Sequence, residues 1–347
     1  MNPLMMTVLA LSLFSGTMIT LSSTSWLMAW MGLEINTMAI IPIIARKHHP
    51  RATEAATKYF LIQAPAAATI LFCAIANAWI TGQWEINQMS MNLPTALILI
   101  SLAMKMGMAP VHSWLPDVLQ GLDLMTALAL STWQKLAPLS ILVQLHSTHS
   151  SLLVIMGMLS ILMGGWGGLN QTQTRKILAY SSITHMGWML LILQFMPNLT
   201  LLAFVIYVLM TSSLFMILNQ NNALSINKLP ILSTYSPILC TLMPLILLSL
   251  GGLPPFTGFI PKWLIIKELS HLGLTGLAVT SAIGGLLSLY FYLRLSYVSS
   301  MTMSPGSTLT PASWRPTVNS TPTMLKITII LSIMMLPLTP LITASLM

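Results

Sequence analysis

The sequence predicts an all-α polytopic membrane protein. It is read as a single membrane domain of about eleven transmembrane helices, built as an inverted repeat of two five-helix units with two broken helices. Three observations lead there. Charged residues make up only 6% of the 347, against about 25% in a soluble domain, and mean hydropathy is +0.83. Apolar stretches recur that reach the roughly 20 residues a helix needs to cross a bilayer. Two of those stretches are interrupted by clusters of glycine and proline at matching places in the order.

The stretches fall near 3–23, 25–45, 56–80, 94–121, 124–146, 150–169, 175–195, 198–220, 236–269, 273–296 and 324–345. The opening segment has no basic leader, no convincing small-residue cleavage site and no Arg-rich amphipathic character, so it reads as a retained first helix. The second stretch carries Glu34. Glu54 and Lys58 precede or begin the third at i,i+4 spacing, and Trp79 and Trp84 near its end fit an interfacial aromatic belt. The fourth holds Lys105 and then Met106 to Asp117, where Pro110 and Pro116 each remove a backbone donor. The fifth carries Lys135 and the seventh His185. The ninth contains Gly251-Gly252-Leu253-Pro254-Pro255 and Gly258, followed by Pro261-Lys262-Trp263.

The breaks fall in the fourth stretch of the first five and the fourth of the second five. In lipid, broken helices survive only inside protein or against a watery cavity. Five is odd, so the second group enters from the opposite side, the pattern of inverted-repeat transporters. The expected organisation is residues 1–147 as the first repeat, 148–298 as the second, and 299–347 as a loop with a final helix. Under this alternation Arg46, Lys47, Arg51, Lys58, Arg175, Lys176, Lys228, Arg294, Arg315 and Lys326 share one side with the N-terminus, and Lys267 alone lies opposite. The basic side is then the inside.

Several classes are disfavoured. The net charge of +8 is not gathered into a patch, which argues against nucleic acid. No glycine-rich phosphate loop is present, so no nucleotide site is expected. Cys73 and Cys240 lie in apolar runs as small buried hydrophobes, and no zinc or haem spacing exists.

Four ionisable residues remain inside apolar stretches: Glu34, Lys105, Lys135 and Lys262. Each costs about 2.5–3.5 kcal/mol at a bilayer centre, and such residues mark ion or proton routes. Burial disfavours a charged lysine and a nearby carboxylate favours it, so a buried lysine beside a movable acid can be switched. Glu34 and Lys105 are expected to pair, with Lys135 and Lys262 continuing the line. His112 in the first break and His185 read equally as proton relays or as hydrogen-bonding core residues. Asp117 and Asp123 read equally as capping residues around Gly121 or as a proton exit. His48, His49, His146, His149 and His271 read as surface residues, and Glu85 as a loop residue.

Lys105, Gly107, Pro110, His112, Trp114, Leu115, Pro116 and Asp117 form a pattern that resembles the proton-translocating antiporter-like subunits of respiratory complex I, relatives of the membrane subunits of multisubunit sodium/proton antiporters. The string Gly251 to Gly258 with Phe259, Lys262 and Trp263 is similar to the family's second broken helix. Glu34, the run Tyr180 to Gly187 and the opening Met-Asn-Pro point to the mitochondrial branch. The resemblance covers essentially all of this chain, but bacterial relatives have fourteen spans and this chain corresponds to the family from its fourth.

That resemblance implies Glu34 as the helix glutamate, Lys105 as its partner, Lys135 as the central lysine and Lys262 as the terminal one. It implies a membrane subunit with no cofactor of its own, the NADH, FMN, iron–sulfur clusters and ubiquinone being held elsewhere in the complex. The implied partners are neighbouring antiporter-like and small membrane subunits, and membrane lipids with cardiolipin among them. The implied location is the mitochondrial inner membrane, with basic loops and N-terminus in the matrix and the C-terminus in the intermembrane space. The methionine content fits synthesis inside that organelle. A direct sodium exchanger is disfavoured because one carboxylate faces three lysines, and a purely structural subunit leaves the buried lysines without a purpose.

Overall fold

Each of the eleven predicted stretches is built of helix within its described residues. The computed structural model describes residues 3–47, 49–89, 91–145, 150–230, 237–302 and 323–340. His48, His146, His149 and Arg315 lie outside the described residues. Single helices form α1 (Pro3–Ser22), α2 (Trp26–Ile44), α3 (Pro50–Thr81), α8 (Ser150–Gly168), α9 (Thr174–Leu193), α10 (Pro197–Gln220) and α13 (Thr275–Met301). These seven are long and apolar enough to cross a membrane. The fourth stretch is α4 (Asn92–Met106) and α5 (Trp114–Gly121), and the ninth is α11 (Pro237–Gly251) and α12 (Phe259–His271). The last is α14 (Thr323–Met334) and a short 3-10 turn at Leu336–Leu338.

One stretch departs from expectation. The fifth is not continuous but splits into α6 (Leu124–Ser131) and α7 (Trp133–Gln144) at Thr132. No glycine or proline lies at the break. The Ser131 and Thr132 hydroxyls donate back to the Leu128 carbonyl at 3.0 and 2.8 Å, drawing on an acceptor the helix would otherwise use alone. Six residues on, Pro138 has no N–H to return to the turn below. Lys135 therefore sits in the first turn of α7 rather than in mid-helix.

The chain divides into two compact units, residues 1–160 with 193–197 and residues 161–192 with 198–347. In the first, α1 packs on α2, and α3 touches α2, α4 and α5, while α7 touches α1, α2 and α4. Small residues set the closest approach. A Cβ on Gly32 would lie 2.6 Å from Thr20 Cγ2 and 2.8 Å from the Gly16 carbonyl oxygen, so α1 and α2 meet backbone to backbone as small-residue crossings in lipid do. Gly121 likewise brings α5 against α3, where its Cβ would stand 2.6 Å from the Arg51 carbonyl oxygen. In the second unit α13 packs on α11 and α12, and α14 on α11.

Each unit also carries one short antiparallel bridge between loops. Ser25 pairs with Glu85, and Gln173 with Ser225. In the first, the loop between α1 and α2 meets the loop before α4, with Trp26 N donating to the Trp84 carbonyl at 3.0 Å. In the second, the loop between α8 and α9 meets the loop after α10, with Thr174 N donating to the Leu224 carbonyl at 3.2 Å. Trp79 and Trp84 are exposed, as are Arg46, Arg51, Lys228, Lys267 and His271. Cys73 and Cys240 are buried free thiols.

Candidate proton-transfer site

In the first unit, α4 ends because Gly107 takes φ +73°, a conformation costly for residues with a Cβ. Gly107 N donates to the Met104 carbonyl at 3.1 Å and Met108 N to the Ala103 carbonyl at 3.0 Å, satisfying the helix end. Trp114, opening α5, turns its indole back and donates to the Met104 carbonyl at 3.2 Å. The interruption leaves Lys105 in the last turn of α4, 8% exposed, its ammonium without a hydrogen-bond partner among the described residues. Lys135 reaches the same place from α7 and is 2% exposed.

Both lysines line one cavity of about 20 Å³ together with Asn36, Tyr59, Gln63 and Gln134. A cavity needs about 10–15 Å³ to admit one water. The amides tie the walls together. Gln63 Nε2 donates to the Lys105 carbonyl at 3.5 Å, and Gln134 Nε2 to the Asn36 carbonyl at 3.4 Å. The structure thus brings Lys105 and Lys135 to one small chamber whose wall holds several polar side chains among apolar ones. The amides were not singled out from the sequence. Their only signal there is that Asn36 follows Glu34 and Gln134 precedes Lys135.

Glu34 departs from the expected direct pairing. Among the described residues it makes no ion pair with Lys105, and its Oε2 is buried without a hydrogen-bond partner. The reason is helical geometry. Glu34 lies with Trp30, Met31 and Met38 along an apolar groove of about 460 Å³, whereas Asn36 and Thr37, further round α2, face the lysine chamber.

His112 lies within the first break and its Nδ1 is 3.3 Å from the Pro110 carbonyl, a bond inside its own loop. Asp117, in the first turn of α5, is exposed and shares a polar surface pocket with Arg51, Glu54, Lys58 and Gln120. Asp123 occupies the N-cap position of α6. Glu54 and Lys58 form the expected i,i+4 ion pair at 2.6 Å.

In the second unit, Gly252 at φ +82° ends α11, with Gly252 N and Leu253 N both donating to the Leu248 carbonyl. Lys262, in the first turn of α12, bends back across the break. Its ammonium donates to the Gly251 carbonyl at 2.8 Å and the Leu250 carbonyl at 3.4 Å. A Cβ on Gly252 would sit 2.9 Å from Lys262 Cδ, so glycine makes room for the lysine as well as for the turn. His185 on α9 is 9% exposed, its Nε2 3.5 Å from the Tyr292 hydroxyl and its ring 5.3 Å from that of Tyr207. Neither tyrosine stood out from the sequence, where each is one aromatic in an apolar run.

Residues 23–288 match the model of the "NADH:quinone oxidoreductase/Mrp antiporter, TM" family, and residues 289–343 that of the "NADH dehydrogenase subunit 2 C-terminus". NADH-ubiquinone oxidoreductase chain 2 of Oncorhynchus mykiss is 57% identical over 347 residues, all of this chain and 99% of its own. The same protein of Salmo salar is 57% identical over 344 residues, 99% of each chain. Among solved structures, a chain of respiratory complex I from Thermus thermophilus superposes with a TM-score of 0.82 at 28% identity, over 95% of this chain and 78% of that one. A chain of the Mrp complex from Dietzia sp. shares the fold, with a TM-score of 0.80 at 17% identity over 96% and 75%.

Proposed function

The chain belongs to the NADH:quinone oxidoreductase/Mrp antiporter family, akin along its whole length to chain 2 of NADH-ubiquinone oxidoreductase, and from that premise we propose that its buried lysines carry protons through the membrane. It is a proton-translocating membrane subunit of NADH:ubiquinone oxidoreductase, a multi-pass protein of the mitochondrial inner membrane and part of an enzyme whose redox reaction occurs in other subunits. The observation that carries the proposal is the shared chamber of Lys105 and Lys135. Two like charges facing one small, buried, polar volume disfavour simultaneous protonation, because each raises the cost of charging the other. A proton arriving at one lysine therefore displaces the proton of the other. One carboxylate nearby, Glu34, biases the Lys105 side through its charge without clamping the ammonium.

Lys262 and His185 serve the second unit in this reading, with His112 at the loop of the first break. In this reading the chain holds two repeats of one five-helix plan, residues 1–147 and 148–298, whose bounds differ from those of the two compact units. Support comes from the two break motifs and from the two loop bridges, which fall at corresponding positions in each set of helices. The basic loops and the N-terminus face the matrix, and the C-terminus the intermembrane space, by the charge asymmetry of the loops. The chain holds no cofactor itself, and its partners are other membrane subunits of the complex and lipids, cardiolipin among them.

The test is Lys135→Met in the assembled complex. The expected result is normal assembly and NADH oxidation with fewer protons moved per electron. An unchanged proton-to-electron ratio overturns the reading.

A further inference from the structure

Asn36 faces the lysine chamber from α2. It is 2% exposed, and neither Nδ2 nor Oδ1 has a hydrogen-bond partner among the described residues. The Lys105 ammonium on the same chamber has none either. Leaving such a group unsatisfied costs about 1–3 kcal/mol, more when it is charged, so native structures satisfy nearly all of them with protein or ordered water. The chamber has amide, hydroxyl and ammonium side chains set among apolar ones, and its volume of about 20 Å³ exceeds the about 10–15 Å³ needed to admit one water.

We propose that Asn36 is a positioning residue that holds one ordered water in the chamber, and that this water joins Lys105 to Lys135. The inference rests on the proton-transfer reading of that chamber. Its chemistry follows from the amide. A carboxamide offers both an acceptor and a donor, and it does not titrate. When Lys105 is charged, its N–H donates to the water oxygen and the water donates to the amide carbonyl or to neutral Lys135. Transfer breaks one N–H bond at Lys105 and forms one O–H bond at the water. A different O–H of the same water breaks and an N–H forms at Lys135, so the water is regenerated. The amide then donates to the reoriented water. A carboxylate in this place would hold the proton, and a hydrocarbon would dry the chamber.

The surroundings fix the amide. A side chain on Gly16 of α1 would overlap Asn36 Oδ1, so the absence of one gives the amide its place. The Gln134 bond to the Asn36 carbonyl ties that part of α2 to α7 one residue before Lys135.

The test combines a water-resolving density map of the intact complex with proton-to-electron ratios of three variants: Asn36→Leu, which matches asparagine in shape, Asn36→Asp and Lys135→Met. The expected map has one water within hydrogen-bond distance of both the Asn36 amide and Lys105 Nζ. Asn36→Leu and Asn36→Asp are each expected to lower the ratio as far as Lys135→Met, with assembly and NADH oxidation retained. If Lys135→Met lowers the ratio and Asn36→Leu leaves it at the wild-type value, the role of Asn36 is overturned while the chamber reading stands. If Lys135→Met has no effect, both fall. Should Asn36→Leu fail to assemble, the wild-type map decides, and density without that water overturns the proposal.

Discussion

At the first break α4 ends on Gly107 at φ +73°, and at the second α11 ends on Gly252 at φ +82°, each with the following amides folded back onto the last turn. The backbone device is the same, but the lysines stand on opposite sides of it. Lys105 precedes its break, and the Met104 carbonyl there accepts from both Gly107 N and the Trp114 indole. Lys262 follows its break and takes the Gly251 carbonyl itself. Helix C-termini attract cations, so the second ammonium is held by the end of α11. The first has no such anchor and faces a chamber shared with another lysine. One lysine thus faces a chamber shared with a second lysine, and the other is held against a helix end.

The comparison can be broken hardest at Gly258. A Cβ there would overlap the Ser249 carbonyl, a backbone atom that cannot swing away. Gly258→Ala is expected to cost at least the about 1–3 kcal/mol of ordinary overpacking, seen as loss of assembled complex on native gels. Next come the two turn glycines. Alanine at either pays about 1–2 kcal/mol for the left-handed backbone. At Gly107 the new methyl meets only the side chains of Leu115 and Trp114, at 3.1 to 3.3 Å. At Gly252 it meets Lys262 as well as the strained turn. Gly252→Ala should therefore lower both thermal stability and proton transfer, and Gly107→Ala mainly stability.

Lys262→Arg sharpens the distinction between capping and proton exchange. A guanidinium still donates to the Gly251 carbonyl but does not release its proton. Assembly is expected to hold while the proton-to-electron ratio falls, and an unchanged ratio would make Lys262 a cap alone. A smaller effect is expected from Trp114→Phe. It removes one hydrogen bond, worth about 1 kcal/mol, and leaves the Met104 carbonyl, still bonded to Gly107 N, with a second acceptor position open to Lys105. Turnover should slow with assembly intact. Least of all, Glu54→Gln removes an exposed i,i+4 pair far from either lysine and should leave assembly and pumping unchanged.

The stretches that cross the membrane were legible because lipid leaves a helix no choice but a long apolar run. The two glycine–proline breaks were legible because those residues alter the backbone wherever they stand. The split at Thr132 was not, since serine and threonine interrupt a helix only when their hydroxyls turn back onto it, as Ser131 and Thr132 do onto Leu128. Glu34 and Lys105 were read as partners from opposite charge, but charge does not say which face of α2 a residue occupies. Asn36, two residues on, reached the lysine chamber, and Glu34 lies along an apolar groove.

By itself the sequence determined what must be paid for in a membrane: which segments are buried in lipid, which four charges are anomalous there, and where the backbone must break. Those are costs set residue by residue, by transfer from water and by local sterics. Only the tertiary structure decided how each anomaly is satisfied. Lys262 found a helix end, Lys105 and Lys135 found each other's chamber, and Asn36 joined them there. Such partners come from helices far apart in sequence, and their meeting depends on rotation and crossing of whole helices, which no single residue encodes.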